Sequence, residues 1–374
     1  MNKFFIICPP GLETICRHEL AHKITILGLE PFQIVSQQEG GFELEMEKNQ
    51  LAQVIAYLKT PTRILQRLTD FKARDYPKLF QKLAKIEWKQ YLYSEHIEFK
   101  VTCRESRLIH TDRVASTAQD AIEKYFKAYP HKKTIQEKLK NDQQILYIRA
   151  MQDQFYVSLD LTGHRMDQRD ENKPEGFVAP LRRSIASAML FQISSLYSKQ
   201  ELKLLDPFTG SGTFTQEALS FYHPQQLNSE LFSHPFEMFS MAKNTMKQRL
   251  FQQYMVSDLT DFADLKGDKL AGIDIKIEKK SFFDYTSVPT GTVIVVNPPY
   301  NKRIQINNPI EFYSKIISKA QSIRALALAM IFPEEYAPTI LKDRICYETH
   351  VLNGGIKCLF RIWDFSNQMN DTSR

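Results

Sequence analysis

Short apolar runs and helix-spaced apolar positions alternate along the chain. Residues 3–8 form a brief apolar run that predicts a first strand. Leu12, Ile15, Cys16 and Leu20 then recur at helical spacing within 11–28. A hairpin is expected from 32–36 and 41–46, turning near Glu39-Gly40-Gly41. Leu51, Val54, Ile55 and Leu58 share one face of a helix over 49–58, and 62–69 returns as a strand. From Asp70 the pattern changes. A helix is expected over 75–86 and an alternating strand over 96–103. Thr111 opens a helix running through Tyr125, with Val114, Ala118, Ala121, Ile122 and Tyr125 facing inward. Strands at 144–149 and 155–161 follow, joined by a tight polar turn.

The first part reads strand-helix-strand-strand-helix-strand, the order of a ferredoxin-like unit, and predicts a domain over 1–65. A second α/β module covers 66–163. Residues 164–178 are polar, carry Pro and Gly, and read as a linker. Over 179–374 the alternation is regular: strands at 203–208, 254–258, 275–280, 292–297 and 325–332, with helices at 213–221 and 310–320. That implies a mostly parallel sheet covered on both faces. The last runs, 347–352 and 356–363, are joined through Asn353-Gly354-Gly355 as an antiparallel hairpin.

A chain of 374 residues, 43% hydrophobic and 25% charged, has the composition of a soluble globular protein of two or three domains. No apolar stretch approaches the roughly 18–20 residues of a membrane span, and the first apolar run is too brief for a signal peptide. Five scattered cysteines without CxxC spacing argue for a reducing cytoplasm and against a disulfide framework; nine histidines without clustering predict no metal. The net charge of +6 is unevenly spread. Between Lys59 and Lys140 stand 19 Lys/Arg and 10 Asp/Glu, a net +9, with Phe71, Tyr76, Phe80, Trp88, Tyr91, Tyr93 and Phe99 interleaved. Most of those aromatics read as core, yet a basic segment beside a net −3 remainder suits a module that docks a polyanion.

Two segments carry the candidate chemistry. Lys203-Leu204-Leu205-Asp206 is a buried strand ending in an acid, followed by Pro207-Phe208-Thr209-Gly210-Ser211-Gly212-Thr213. Glycines let the backbone approach a ligand, and the next helix starts with its positive dipole end there. Thr213-Phe214 replaces the Lys-Ser/Thr of a phosphate loop, and Thr215 replaces the third glycine of a dinucleotide fingerprint. A cationic ligand without phosphates suits Asp206 better. Asp258, ending the next strand, is placed to accept ribose hydroxyls. Asp284, after Ser281-Phe282-Phe283, ends a further strand region and is expected to meet an adenine edge, with Phe282 or Phe283 packing on the ring.

The second segment is Asn297-Pro298-Pro299-Tyr300, at the end of Thr292-Val293-Ile294-Val295-Val296. An exocyclic amine is a poor nucleophile because its lone pair is delocalised into the ring. The Asn297 side-chain oxygen and the Pro298 carbonyl can accept its two hydrogens and localise that pair. Tyr300 offers a face for stacking the base. Both segments should open at the carboxyl edge of one parallel sheet. No cysteine stands beside the prolines, so covalent attack on a pyrimidine is not supported.

These motifs resemble the DPxxGSGT and [ND]PP[YF] of class I S-adenosylmethionine-dependent amino-methyltransferases. The resemblance covers nearly the whole chain. Phe71-Lys72-Ala73-Arg74, 86–92 and Leu159-Asp160-Leu161-Thr162-Gly163 stand as in a THUMP RNA-binding domain, and Asn353-Gly354-Gly355-Ile356-Lys357-Cys358 is similar to the family's terminal hairpin. The chain is thus similar to THUMP-containing RNA guanine-N2 methyltransferases, among them bacterial 23S rRNA enzymes. The resemblance implies a Rossmann-like methyltransferase domain at 179–374 behind ferredoxin-like and THUMP units. It puts Asp206, Phe208, Gly210, Ser211, Gly212 and Thr213 around S-adenosylmethionine, with Ala179-Pro180-Leu181-Arg182 closing the pocket. Asn297 would border cofactor and target base alike, with Pro298, Pro299 and Tyr300 beside it. Arg183 departs from an acid often found there, and Asn301 from a glycine.

The expected activity is N2-methylation of guanosine in RNA, with 23S rRNA or a ribosome assembly intermediate as partner. Adenine N6, a glutamine amide of a protein, and an RNA-binding relative without turnover are the alternatives.

Overall fold

The computed structural model describes residues 2–92, 97–130, 144–168, 181–225, 248–259, 273–300 and 308–366. Its front half contains β1 (Asn2–Ile7), α1 (Glu13–Ile26), β2 (Gln33–Gln38), β3 (Gly41–Met46), α2 (Lys48–Val54), β4 (Arg63–Lys72), α3 (Tyr76–Leu83), β5 (Ile97–Arg104), α4 (Thr111–Ala128), β6 (Gln144–Met151) and β7 (Gln154–Asp160). These strands form one seven-stranded sheet in the order β2-β3-β1-β4-β7-β6-β5. All its pairs are antiparallel except β5 with β6.

β4 runs through position 65. It pairs with β1 over Arg63–Gln66 and with β7 from Leu65 to Lys72, so the two front units share one sheet. Their cores stay distinct: Phe4, Leu20, Phe42 and Leu51 form one, and Leu79, Trp88, Val114 and Phe155 the other. On α4 the inward aromatic is Phe126, 2% exposed; Tyr125 packs at the rim of that core. α3 is opened by Asp75, which accepts from the Lys78 amide at 2.7 Å, with Pro77 in the first turn.

The second half contains α5 (Arg183–Leu196), β8 (Lys203–Asp206), α6 (Thr213–Ser220), β9 (Gln253–Asp258), β10 (Asp274–Lys279), β11 (Thr292–Val296), α7 (Pro309–Ser322), β12 (Ala327–Pro333), β13 (Ile345–Asn353) and β14 (Ile356–Asp364). Another seven-stranded sheet results, ordered β10-β9-β8-β11-β12-β14-β13. β10 through β12 run parallel, and β14 and β13 are added antiparallel, as the terminal hairpin predicts. Val293 and Val295 enter one core while Ile294 and Val296 enter the other. Alternate side chains of β11 therefore leave water on both faces, and the strand reads as an unbroken apolar run. This is the Rossmann-like α/β sheet expected. Among the described residues no helix is long and apolar enough to cross a membrane.

The halves meet through α1 and α5, with Leu12 and Ile15 joining the second half's core. Lys23 on α1 is fully buried and donates to the Phe221 carbonyl at 2.6 Å. Its ammonium lies 3.9 Å from the Phe221 ring centroid and 4.0 Å from that of Tyr222. His22 Nε2 lies 2.8 Å from the Tyr222 hydroxyl. Thr349 Oγ1, on β13, donates to the Gly11 carbonyl at 2.8 Å.

Candidate active site

Two neighbouring parallel strands bring the candidate residues together. β8 and β11 pair with Leu204 opposite Val293 and Leu205 opposite Ile294. Asp206 is the last residue of β8, and Asn297 follows the last residue of β11. Both leave the sheet at its carboxyl edge, where β9 lies on one side of β8 and β11 on the other. That reversal opens the crevice in which doubly wound sheets hold ligands. β9 pairs with β8 so that Asp206 faces Val256, which brings Asp258 to the same edge.

Asp206 is 1% exposed. Its Oδ2 accepts from Thr215 Oγ1 at 2.9 Å, whereas Oδ1 has no hydrogen-bond partner among the described residues. Burial pushes the carboxyl up to about 7; hydrogen bonds from Thr215 and Thr209 oppose the rise, and the nearby Asp258 charge adds to it. A buried carboxylate oxygen left without a donor suits a cationic ligand group. Asp258 Oδ2 accepts from the Gly210 amide at 2.9 Å, tying β9 to the glycine loop. Gly212, at φ +74°, makes the left-handed turn that opens α6 without a side-chain cap. Ser211 Oγ and Thr213 Oγ1 lie 2.9 Å apart across that turn.

The aromatic wall divides. Phe208 and Phe282 pack with centroids 5.8 Å apart, and Phe312 lies 6.2 Å from Phe208. Phe282 is 1% exposed and belongs to the core, so it presents no ring face to a ligand. Phe283 is 37% exposed, and Asp284 beside it on the same short turn is also exposed.

Asn297 and Tyr300 are tied together. The Tyr300 hydroxyl donates to Asn297 Oδ1 at 2.6 Å and accepts from Asn353 Nδ2 at 3.4 Å. Burial holds the Tyr300 phenol well above its ordinary pKa, so it remains a donor. The Tyr313 hydroxyl, on α7, donates to the Pro299 carbonyl at 2.9 Å. Pro298 is buried between these anchored neighbours. Sequence reasoning assigned Asn353 only to a hairpin turn and did not reach Tyr313. Nothing in their spacing signals the contacts: Asn353 arrives with the β13–β14 hairpin and Tyr313 with α7.

Arg183 finds a partner that sequence did not show. It pairs with Glu217 Oε1 at 3.1 Å and donates to Gln216 Oε1 at 2.9 Å, both on α6. Glu217 is fully buried and also accepts from Ser187. The basic residue at 183 thus stands opposite a buried acid on the helix that follows the glycine loop. Pro180 and Asn301 lie outside the described residues.

The UPF0020 RMKL-like methyltransferase domain model matches residues 170–362. The chain belongs to the RMKL-like methyltransferase family. It is 23% identical over 397 residues to the Ribosomal RNA large subunit methyltransferase K/L of Syntrophotalea carbinolica, an alignment covering 98% of this chain and 54% of that protein. With the protein of the same description from Marinomonas sp. it shares 24% identity, over 94% of this chain and 51% of the relative. The RMKL-like chain therefore spans about half the length of these curated relatives. A Synechocystis protein described as a candidate RNA methyltransferase is 24% identical and matched nearly end to end, 95% of this chain and 94% of that one. Two solved structures share the fold. A possible methylase from Clostridium difficile 630 superposes with a TM-score of 0.74 at 18% identity, covering 97% of this chain and 98% of that one. A candidate methyltransferase solved with SAH gives 0.75 at 18% identity, with the same coverage of both. Membership in a methyltransferase family agrees with S-adenosylmethionine as the expected cofactor.

Proposed function

We propose that this chain transfers the methyl group of S-adenosylmethionine to the exocyclic N2 of a guanosine in large-subunit ribosomal RNA, either free or in an assembly intermediate. The observation that carries the reading is the emergence of Asp206 and Asn297 from neighbouring parallel strands into one crevice. The Syntrophotalea relative, described as a ribosomal RNA methyltransferase, the Synechocystis relative, described as a candidate RNA methyltransferase, and the basic stretch of the front half support RNA as the acceptor.

The residues fit the cofactor. Asp206 Oδ1 is a buried acceptor without a donor among the described residues, suited to the cofactor's ammonium group. Gly210 and Gly212 let the loop backbone pass close to the ligand. When bound, S-adenosylmethionine supplies a methyl carbon made electrophilic by the sulfonium. Asp258 takes the ribose hydroxyls, and Phe283 and Asp284 take the face and edge of adenine. Asn297 Oδ1 and the Pro298 carbonyl accept the hydrogens of the target amine. A carbonyl oxygen has two lone pairs, so Oδ1 can hold Tyr300 and the amine together. The Tyr300 hydroxyl thereby fixes which way the Asn297 amide points. What these groups contribute is mostly orientation, which can supply about 7–11 kcal/mol of a barrier.

The test is methylation of stripped large-subunit RNA by the purified chain with labelled cofactor, followed by nucleoside mass spectrometry. N2-methylguanosine is the expected product. N6-methyladenosine, or label found on protein alone, would overturn the assignment of the nucleophile.

A further inference from the structure

We propose that Lys23, on α1 of the front half, is a positioning residue for the cofactor: it seats the far end of α6 and thereby sets where the glycine loop lies against Asp206. The inference rests on the reading of that crevice as the S-adenosylmethionine site. α6 is short, eight residues and so about 12 Å long, and both of its ends are held. At its start, Gly212 makes the left-handed turn, Thr215 Oγ1 donates to Asp206 Oδ2 at 2.9 Å, and Gln216 Nε2 donates to the Ser211 carbonyl at 3.3 Å. At its far end the grip comes from the front half. Lys23 Nζ donates to the Phe221 carbonyl at 2.6 Å, and His22 Nε2 lies 2.8 Å from the Tyr222 hydroxyl. Gln225 donates from its backbone to the Ala56 carbonyl and from Nε2 to the Leu58 carbonyl, each at 2.8 Å. The chain leaving α6 is thus tied to the front half at 221, 222 and 225.

A cation is an unfavourable choice if the position only has to be filled. Lys23 is 0% exposed, and taking an ammonium out of water is strongly opposed, whereas leucine or methionine would pack there without that penalty. What the ammonium adds is direction. It reaches a carbonyl at the negative end of the α6 dipole, and it lies 3.9 and 4.0 Å from the ring centroids of Phe221 and Tyr222. All three attractions aim at the residues that end α6. Those rings are fixed in turn: Phe221 stacks on Phe191 of α5 at 5.8 Å and meets Tyr222 edge-on at 5.2 Å. One turn back on α1, Glu19 is equally buried and accepts from the Lys59 and Thr60 amides at 2.8 and 2.9 Å. That anchors α1 to the same turn that supplies the Ala56 and Leu58 carbonyls. Burial, and then the Lys23 charge, lower the His22 pKa, and burial pushes the Tyr222 hydroxyl up to about 12. Their contact is therefore a hydrogen bond between neutral groups at neutral pH.

A shift at one end of α6 reaches the other, because a hydrogen-bonded helix of about two turns is stiff along its axis. Its first turn carries the side chains that shape the cofactor's seat, Thr215 on Asp206 and Gln216 on Ser211. Arg183 of α5 grips that same turn by donating to Gln216 Oε1 at 2.9 Å, while Lys23 holds the far end. Losing the ammonium releases the far end alone. The expected consequence is a weaker Thr215–Asp206 bond and a less settled glycine loop, with every group that touches the cofactor still present.

The test is Lys23→Met in the full chain, which keeps the apolar length and removes the ammonium. S-adenosylhomocysteine binding is titrated calorimetrically between about pH 6 and about pH 8.5, with methyl transfer to ribosomal RNA measured in parallel. Kd, and the KM for S-adenosylmethionine, should rise about 5- to 30-fold while kcat at saturating cofactor stays within about threefold. A packing role would lower only the melting temperature. Burial raises the Asp206 carboxyl, the Thr215 hydrogen bond is foremost in opposing that rise, and the Asp258 charge adds to it. Weakening the Thr215 bond should therefore move the midpoint of the pH dependence upward by about 0.5–1. Thr215→Val should reproduce the move, and Lys23→Met/Thr215→Val should add nothing to it. Tyr222→Phe keeps the ring beside the ammonium and loses only the His22 bond. It should weaken binding by about 2- to 5-fold, and it carries the test if Lys23→Met does not fold. An unchanged Kd in the folded variant, a weaker Kd with the pH midpoint unmoved, or additive shifts in the double variant overturns the assignment. If the wild type binds no S-adenosylhomocysteine, the reading of the crevice fails and this inference with it. If the wild type binds it and the variants match the wild type, the role of Lys23 alone fails.

Discussion

Among the described residues, the first sheet has helices on one face, and the second is covered on both. That difference decides where each can meet a partner. In the second sheet, Val293 and Ile294 enter opposite cores, so only the strand ends remain for chemistry, and Asp206, Asp258 and Asn297 all stand at one edge. In the first sheet, the side opposite Phe4 and Leu146 carries Phe5, Tyr147 and Tyr156 among the ion pairs Arg67–Glu43, Arg63–Asp160 and Lys100–Glu98. A face offers area and tolerates many registers of a flexible partner; an edge offers a few converging atoms. The molecule thus pairs a broad sheet face with a narrow crevice, and α1, on the other side of the first sheet, joins its helical layer to the second half.

Substitutions at the edge should have the largest effects. Asn297→Ala removes an acceptor from the target amine and should lower single-turnover methyl transfer by about 100- to 1,000-fold, on the scale of removing one preorganised polar group. Cofactor affinity, read by equilibrium dialysis, should stay within about twofold. Turnover within tenfold of wild type would break the contrast between edge and face. Gly11→Ala attacks the joint between the sheets. At φ +89°, an added Cβ would meet the His350 carbonyl oxygen at 1.7 Å. The variant should lose about 2–4 kcal/mol of stability in denaturant unfolding; an unchanged midpoint would mean that the joint is not rigid.

Asp206 supplies a pH signature. Its carboxyl, raised from 3.8 to about 7 by burial, stays protonated in the fold at pH values where the unfolded chain has already released its proton. This group's contribution to stability without cofactor is therefore greatest below the unfolded value and lost as pH rises toward about 7. Binding of a cationic ligand runs the other way. Cofactor affinity should fall by up to about tenfold per pH unit below about 7, and Asp206→Asn should flatten that dependence while weakening binding at pH 8. A pH-independent wild type would remove Asp206 from the ammonium contact. The smallest effect is expected at the hairpin. Asn353→Ala should reduce turnover by about 3- to 10-fold, the scale of one hydrogen bond, and cost nothing further in a Tyr300→Phe background. Additive losses would show that Asn353 acts other than through Tyr300.

The edge was more legible in sequence than the face. An apolar strand ending in Asp206, and another ending in Asn297, announce a sheet edge because burial and chemistry change at one residue. The first sheet gave no such mark. Arg67, Arg104 and Arg149 become neighbours only through strand order, and Arg149 lies outside the basic stretch counted from Lys59 to Lys140. β4 hid the junction of the front units because a strand shared by two sheet halves has no composition break. α5 gave no helical stripe, since Ser184 through Phe191 are all buried and leave no polar face to set a period. Phe282 and Phe283 are adjacent in sequence and opposite in exposure, which residue type alone does not separate. The Arg183–Glu217 pair and the Asn353–Tyr300 contact join elements distant along the chain, with neither signalled by local spacing.

A structure of the chain with S-adenosylhomocysteine and a short guanosine-bearing RNA tests the shared crevice most directly. The cofactor's ammonium should contact Asp206, and the target N2 should lie about 3 Å from Asn297 Oδ1 and from the Pro298 carbonyl, within about 3–3.5 Å of the site of the departing methyl. A cofactor bound away from Asp206, or a base seated with its amine turned from Asn297, would contradict it.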